Sequence, residues 1–356
     1  MKSLLKKISI FTLSVFALCA FSSCKAKKID TTGKLKVIST IFPEYDWFKN
    51  VAGEENPKII HSLLIKSGID LHSYQPSTKD MIDISDCDLL IYVGGESDEW
   101  IKKATANSTN PNQKVLNLME ILKDQVKEEE LVEGMQAEEE EDDEDEHHEE
   151  GEEHHHEEGE EHHHEEGEEH HHHHDGEIEY DEHVWLSVKN AVIIVEAIKD
   201  TLCQMDSENA LTYQKNAEEY IAKLNALDAE YQAAFKNSNG KPLIFCDRFP
   251  FRYLTEDYKL PYYAAFLGCS TESEASFETV IFLANKLNEL DINNVIIIEN
   301  SADKIANTVI ATAKRPSCNI FSLDSMQSTT LNDIFKGKTY IDTMKSNLEE
   351  LKKIIQ

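Results

Sequence analysis

Histidine is concentrated in one short part of this 356-residue chain. Thirteen of the sixteen histidines lie between residues 147 and 174, in a tract of glutamates and glycines that repeats every eight residues. Neutral imidazoles suit borderline metals such as zinc, copper and nickel, and the glutamates attract any divalent cation. Because the tract offers many interchangeable ligand sets, we interpret it as an auxiliary metal-binding loop of modest selectivity. Its ligands are His147, His148, His154, His155, His156, His162, His163, His164, His170, His171, His172, His173 and His174.

Three histidines lie outside the tract. His61 sits inside the apolar run "KIIHSLLI" and is interpreted as a core or edge residue of a strand. His72 lies in the turn-rich segment "GIDLHSYQPST", between a strand and a helix, and His183 lies in "DEHVWLSV", just before a helix. Ligands of parallel α/β sheets bind at the carboxyl ends of strands. His72 and His183 are therefore candidate ligands of a defined metal site.

The elements that position these residues alternate between β-rich and helical runs. This order predicts parallel sheets, one in each half of the chain. Between the halves, residues 186–236 contain no proline or glycine, which predicts a helix near 186–204 and a longer, stiff helix near 208–236. The predicted fold is α/β, with two lobes of parallel sheet flanked by helices and joined by one long rigid helix. The predicted strands are 35–40, 57–64, 87–94, 113–118, 241–247, 262–267, 295–300 and 318–324.

The net charge of −33 comes from one insert. Residues 128–182 carry 30 of the 68 acidic residues, which leaves 38 acidic against 35 basic residues elsewhere. A body without a basic face is unsuited to nucleic acid. The insert at 128–178 is predicted to be a disordered loop. It lies within an N-terminal lobe at 35–205, followed by a linking helix at 206–238 and a C-terminal lobe at 239–356.

The N-terminus has the pattern of a secretory signal. Lysines precede an apolar run that is too short for a comfortable membrane span, and the run ends in "FSSC", which resembles a bacterial lipobox. Residues 1–24 are therefore predicted to be a signal peptide, with lipidation of Cys24 and a polar tether at 25–34. Plain cleavage and secretion is the alternative. Either way the mature protein is expected outside the cytoplasm, lipid-anchored at the periplasmic or outer face in the first case.

Five cysteines remain beyond the signal, and they show no CxxC pair or regular spacing. Neither a disulfide framework nor a cysteine-type zinc site is indicated. A disulfide between Cys246 and Cys269 stays open as an alternative.

Two segments carry a resemblance to a known family. "GIDLHSYQPST" is similar to "GxDPHxYEPSP", and "DEHVWLSV" to "DPHxWLDP", in the metal-specific solute-binding lipoproteins of bacterial ABC transporters, which deliver zinc or manganese. The lipobox, the histidine-rich acidic insert and the linking helix occur in the family's order. The resemblance implies a metal cleft between the lobes, with His72 and His183 as ligands from the N-terminal lobe.

The resemblance also bears on the other ligands. Many zinc members have a third histidine in a segment like "HDAFGYL", where this chain has "CDRFPFRYL". Asp247 is the nearest candidate by position, unless an ion pair with Arg248 makes it structural. The family's fourth ligand is a carboxylate after a later strand, and "VIIIENSADK" supplies Glu299 and Asp303. Asp303 could instead cap the following helix.

Two imidazoles with one or two carboxylates would hold Zn²⁺, Mn²⁺ or Fe²⁺, and the histidine tract favours zinc. The resemblance thus implies a monomeric extracytoplasmic receptor that captures Zn²⁺ and delivers it to an ABC permease. The alternatives are a manganese or iron receptor of the same class, and a surface metal-buffering lipoprotein or adhesin. An enzyme is not expected, because the chain has no HExxH motif, GxSxG elbow or P-loop.

Overall fold

The computed structural model describes residues 33–136, 179–238, 240–270 and 274–355. The predicted signal segment with Cys24, and all thirteen histidines of the tract, lie outside the described residues. The described residues from Leu35 onward form one compact unit. No helix within the described ranges is long and apolar enough to cross a membrane.

The N-terminal lobe contains a four-stranded parallel sheet in the order β2-β1-β3-β4. Its strands are β1 (Leu35–Ser39), β2 (Ile59–Leu63), β3 (Leu89–Tyr92) and β4 (Lys114–Asn117). The helices between them are α1 (Phe42–Ala52), α2 (Thr78–Asp86), α3 (Trp100–Ala106) and α4 (Leu118–Ile121). Short polar side chains start two of these helices, because Ser77 caps α2 and Asn117 caps α4 through backbone N–H groups.

The C-terminal lobe repeats the arrangement with the order β6-β5-β7-β8. Its strands are β5 (Leu243–Phe249), β6 (Tyr262–Leu267), β7 (Asn294–Ile298) and β8 (Asn319–Leu323). In both sheets the order of the strands reverses beside the first strand, β1 or β5. Ligands of α/β folds bind at the carboxyl ends of the strands at such a point. The helices of this lobe are α7 (Arg252–Tyr258), α8 (Phe277–Glu289), α9 (Lys304–Thr312), α10 (Leu331–Phe335) and α11 (Tyr340–Ile355).

Two helices connect the sheets, α5 (Val188–Met205) and α6 (Ala210–Phe235). The 26 residues of α6 extend about 39 Å at about 1.5 Å per residue. One hydrophobic core includes residues of both lobes and of α5, α6 and α11. Inside it, the Tyr231 hydroxyl of α6 donates to the Met344 carbonyl of α11 over 2.6 Å. The structure confirms the predicted eight strands, two parallel sheets and long connecting helix.

The beginning of the predicted insert belongs to the folded body. Glu128 pairs with Tyr180 in an antiparallel bridge, and the backbone N–H of Gln136 donates to the Ala265 carbonyl of β6 over 2.9 Å. Met135 is buried in the core. These contacts place residues 128–136 with the body rather than with a disordered loop, although the Leu131 side chain is exposed.

Candidate metal centre

His72 lies within one short helical turn, and His183 directly precedes another. His72 lies in the turn Leu71–Ser73, where the Asp70 carboxylate accepts a hydrogen bond from the His72 backbone N–H over 3.1 Å. His183 directly precedes the turn Val184–Leu186, and Asp181 accepts from its backbone N–H over 2.8 Å. In both segments, an aspartate two residues before the histidine therefore accepts the backbone N–H of that histidine. These hydrogen bonds fix the backbone from which each imidazole projects.

The two imidazoles converge on one point. Their Nε2 atoms lie 3.1 Å apart. Two nitrogen ligands at the usual zinc distance of about 2.0–2.1 Å in tetrahedral geometry would be separated by about 3.3 Å. The His183 side chain is fully buried and that of His72 is only 3% exposed. The pair is thus spaced and shielded as a metal-binding pair needs to be.

The opposite ring nitrogens are held by oxygen atoms. His183 Nδ1 lies 3.0 Å from Asp181 Oδ1. His72 Nδ1 lies 2.6 Å from Ser97 Oγ and 3.7 Å from a carboxylate oxygen of Glu182. Histidine ligands of metals commonly donate their second N–H to a carboxylate or another oxygen, which fixes the tautomer and the ring orientation. With Nδ1 of each ring donating to these oxygens, the Nε2 lone pair of each histidine would be free to bind a metal at the common point.

Burial and charge set the protonation of the pair. Burial, reinforced by the neighbouring His183, lowers the pKa of His72 to about 3. Burial also opposes protonation of His183, but the adjacent Asp181 outweighs it, so the pKa of His183 is raised. His72 is therefore neutral at physiological pH, with its Nε2 lone pair available to a cation.

Residues of both lobes close around the histidines. Gln327, which follows β8, has its side-chain nitrogen 3.0 Å from His183 Nε2 and 3.2 Å from Asp70 Oδ1. Arg248 of β5 forms an ion pair with Asp70 over 2.9 Å. The Trp185 indole N–H donates to the Ser325 carbonyl over 2.9 Å. The histidine pair therefore lies in a cleft between the lobes, as the resemblance implies.

Comparison with known proteins decides the family. The model described as "ZnuA: Zinc-uptake complex component A periplasmic" matches residues 37–354. The chain belongs to the ZnuA family.

Among curated relatives in this family, "Zinc-binding lipoprotein AdcA" of Streptococcus pneumoniae is 31% identical over 348 residues, covering 98% of this chain and 61% of AdcA. "High-affinity zinc uptake system protein ZnuA" of Bacillus subtilis is 28% identical over 336 residues, covering 94% of this chain and 92% of the relative. This chain therefore spans less than two thirds of the AdcA relatives but most of the length of the Bacillus protein.

Solved structures agree with the family assignment. The Zn(II)-bound ZnuA-like domain of Streptococcus pneumoniae AdcA matches with a TM-score of 0.65 and 26% identity, covering 91% of this chain and 99% of that domain. A mutant of the laminin-binding adhesin Lmb from Streptococcus agalactiae has a TM-score of 0.66 at 19% identity over 90% of this chain and 100% of its own, which shows the fold alone. The predicted fold class is confirmed.

A cysteine joins the histidines of this ZnuA-family chain. Within the ranges that the structure describes, ligand atoms of His72, His183 and Cys269 all lie within 4.8 Å of one another. The sequence alone does not single out Cys269 as a candidate ligand. The available signal was its position just past the end of β6, at the carboxyl edge where the other candidates lie.

The segment "CDRFPFRYL", which stands where many zinc members have their third histidine segment, begins with a buried cysteine. Cys246 is buried in the apolar core between β5, β6 and the helices α8 and α9. Burial raises the pKa of its thiol. Cys246 and Cys269 are both free thiols, so the alternative of a disulfide between them is wrong. Their side chains face different environments, since one packs in the core and the other lies beside the histidines.

Asp247 has structural hydrogen bonds on both oxygens. Its carboxylate accepts from the backbone N–H of Arg248 over 2.8 Å and from that of Ile298 over 3.1 Å, which ties β5 to β7. The suggested ion pair with Arg248 is wrong, because neighbouring side chains of a strand point to opposite faces and the guanidinium reaches Asp70 instead. Whether Asp247 binds metal stays a prediction.

Glu299 and Asp303 differ in whether they face the cleft. The Glu299 carboxylate accepts from the Ser325 backbone N–H over 2.7 Å and from its hydroxyl over 2.9 Å. With Asp70, Asp247 and Gln327 it lines a cavity of about 410 Å³. Asp303 is exposed at the start of α9 and makes no capping hydrogen bond with its side chain. Neither residue joins the close cluster of His72, His183 and Cys269, so their roles as ligands stay predictions.

His61 has the structural role that the sequence indicates. Its Nε2 lies 3.0 Å from Ser39 Oγ, and its ring stacks on Tyr45 with centroids 4.2 Å apart. Burial lowers its pKa to about 3. It belongs to the packing around β1 and β2.

Proposed function

We propose that this protein is the metal-binding receptor of a zinc import system. In this proposal it captures Zn²⁺ between its lobes with His72 and His183 and passes the ion to an ABC permease in the membrane. The observation that carries the proposal is the 3.1 Å approach of two buried Nε2 atoms whose Nδ1 atoms face oxygen partners. Family membership and the names of the zinc-binding relatives support it.

The donor atoms favour zinc over manganese. Imidazole nitrogen suits zinc, copper, iron and nickel, whereas manganese prefers carboxylate, carbonyl and water oxygens. Of the described carboxylates near the pair, Asp181 faces His183 and Asp70 pairs with Arg248, whereas one oxygen of Glu182 has no hydrogen-bond partner. A site whose closest donors are two imidazole nitrogens is therefore poorly matched to manganese.

The histidine tract is proposed to collect zinc for the cleft. Its described flanks meet beside the site, because the Glu129 backbone N–H donates to the Glu179 carbonyl over 2.9 Å. A second cavity of about 270 Å³ opens there, lined by His72, Glu129, Glu179, Glu182 and Cys269 among others. Clustered carboxylates raise the local concentration of divalent cations. This cavity is the route by which ions from the tract would reach His72.

Outside the cytoplasm, the protein is proposed to be held at the membrane through lipidated Cys24. Release would follow small shifts of the lobes, because the shared core resists wide opening. Contacts that cross the cleft, such as Arg248 with Asp70 and Trp185 with Ser325, would break in such a shift. Their loss would also remove Gln327 from the neighbourhood of His183.

The test is a direct competition between Zn²⁺ and Mn²⁺ for the purified protein, read by metal analysis after removal of loosely bound ions. A zinc receptor retains one tightly held Zn²⁺ in the presence of excess Mn²⁺. Retention of manganese instead would favour the manganese receptor. A metal-buffering lipoprotein or adhesin would hold several weakly bound ions and no tight one.

A further inference from the structure

We propose that Cys269 supplies the third ligand of the metal centre, which makes it a zinc site of two imidazoles and one thiolate. This inference rests on the proposed function and concerns the same cleft. The thiol proton passes to solvent when the metal–sulfur bond forms. Thiolate and imidazole are both ordinary zinc ligands, at about 2.3 Å and about 2.0–2.1 Å respectively.

The backbone before Cys269 is built for close approach to the histidines. Gly268 is buried directly against His183, and a Cβ added there would lie 2.8 Å from His183 Cε1 and 2.9 Å from the Phe249 carbonyl oxygen. Any side chain at Gly268 would therefore push the segment away from the ring. The glycine lets the end of β6 run past His183, so that Cys269 reaches the cluster.

The distances suit three ligands of one ion. Ligand atoms of His72, His183 and Cys269 lie within 4.8 Å of one another, and the two nitrogens lie 3.1 Å apart. In a tetrahedral zinc site the separation between nitrogen and sulfur ligands is about 3.5 Å, given the usual bond lengths. Because the ligand atoms span up to 4.8 Å, binding one ion would draw the Cys269 thiolate toward the two nitrogens.

Cys269 also accounts for a missing histidine. No histidine follows His183 in the sequence, and the thiol of Cys246 on β5 is buried in the apolar core. Strand β6 pairs with β5 in parallel, so their carboxyl ends lie at the same edge of the sheet. A ligand absent from the end of β5 can therefore be replaced from the end of β6. The chain keeps three ligands while moving one of them to the neighbouring strand.

A thiolate ligand would increase the selectivity of the site for zinc. Soft sulfur ligands favour zinc over manganese, which prefers oxygen. Replacement of Cys269 by serine should weaken zinc binding by more than the roughly 10–100-fold that loss of an outer-shell partner costs. The same change should weaken manganese binding much less, so that the preference for zinc narrows.

The decisive experiment is the absorption spectrum of the full chain loaded with Co²⁺ as a probe for zinc. Thiolate bound to cobalt gives an intense near-ultraviolet charge-transfer band, whereas imidazole and carboxylate ligands do not, so cobalt on the histidine tract does not interfere. We expect the band in the wild type, its loss in Cys269→Ser and its retention in Cys318→Ser, a control thiol outside the cluster. Absence of the band in the wild type, or its persistence in Cys269→Ser, would overturn the proposal.

A measurement on the unmodified protein guards against a serine variant that fails to fold. Zn²⁺ should protect Cys269 from alkylation by iodoacetamide and leave Cys318 equally reactive, as read by mass spectrometry of peptides. Equal alkylation of Cys269 with and without zinc would contradict a thiolate ligand. If the wild type binds zinc tightly but shows neither band nor protection, only this ligand assignment fails. If it binds no zinc tightly, the proposed function fails.

Discussion

Asp181 Oδ1 lies 3.0 Å from His183 Nδ1 and also accepts the His183 backbone N–H. One carboxylate therefore sets both the position and the tautomer of this imidazole. The arrangement leaves Nε2 unprotonated and directed at His72 when a metal is present. The ability of His183 to bind a metal should therefore depend on Asp181, which does not itself contact the ion.

Replacing that carboxylate tests the dependence. Asp181→Asn keeps a side-chain oxygen for the backbone N–H but removes the negative charge beside Nδ1. Zinc affinity, measured by competition with a chelating dye, should fall by about 10–100-fold. Asp200→Asn, at an exposed aspartate of α5, is the matched control and should leave the affinity unchanged. An unaltered affinity in Asp181→Asn would show that the carboxylate does not orient the ligand.

The ion pair between Arg248 and Asp70 joins the lobes across the cleft. Arg248→Met leaves the mostly buried Asp70 carboxylate without its cation, which should lower the free energy of unfolding by about 1–3 kcal/mol. Bound zinc should also dissociate faster, because the closed arrangement is weakened. Lys102→Met, at an exposed pair with Glu99, should cost at most about 0.5 kcal/mol. Chemical denaturation and stopped-flow release of zinc to a chelator measure the two effects, and equal behaviour of the variants would contradict this role.

Asp98 makes the stability of the metal-free protein depend on pH. Burial, with a contribution from the charge of Glu182, raises the pKa of Asp98 to about 7. From about pH 4, where an unfolded aspartate ionises, up to about pH 7, the folded protein holds a proton that the unfolded chain has lost. The contribution of Asp98 to stability therefore falls as pH rises through this window.

The variant Asp98→Asn lacks this titration. Relative to the wild type, its free energy of unfolding should therefore increase by about 1–2 kcal/mol between about pH 5 and about pH 7. Denaturation in the presence of a chelator measures the difference at each pH. A constant difference across the window would mean that Asp98 ionises normally in the folded protein.

Deleting residues 138–176 separates the tract from the cleft. The shortened protein should keep one tight zinc site, because the proposed ligands lie outside the deletion, but it should capture zinc more slowly when the ion is limiting. Capture rates follow from stopped-flow competition with a fluorescent chelator. Equal rates with and without the tract would contradict its role as a collector. A variant in which a glycine-serine segment of the same length replaces the tract controls for the change in chain length.

The sequence predicts the framework because each element has a local signal. Alternating apolar runs mark the eight strands, and the absence of glycine and proline marks the long helix. His72 and His183 can be predicted as candidate metal ligands, because parallel sheets bind their ligands in loops at the carboxyl ends of strands.

Other features depend on contacts that no local pattern encodes. Cys269 resembles any small residue after a strand, and only the packing of Gly268 on His183 reveals its place. Arg248 next to Asp247 suggests an ion pair, but strand alternation separates the two and Arg248 crosses to Asp70. The first residues of the acidic insert were assigned to a loop by their charge, although Gln136 and Met135 belong to the body.

The central claim is that one selective zinc site depends on His72 and His183. Its most direct test counts tight zinc sites in the full chain and in His72→Ala/His183→Ala, by titration against a competing chelator. We expect the double variant to lose the one tight site and to keep the weaker binding of the tract, with an unchanged circular dichroism spectrum. Survival of tight one-to-one zinc binding in the folded double variant would contradict it.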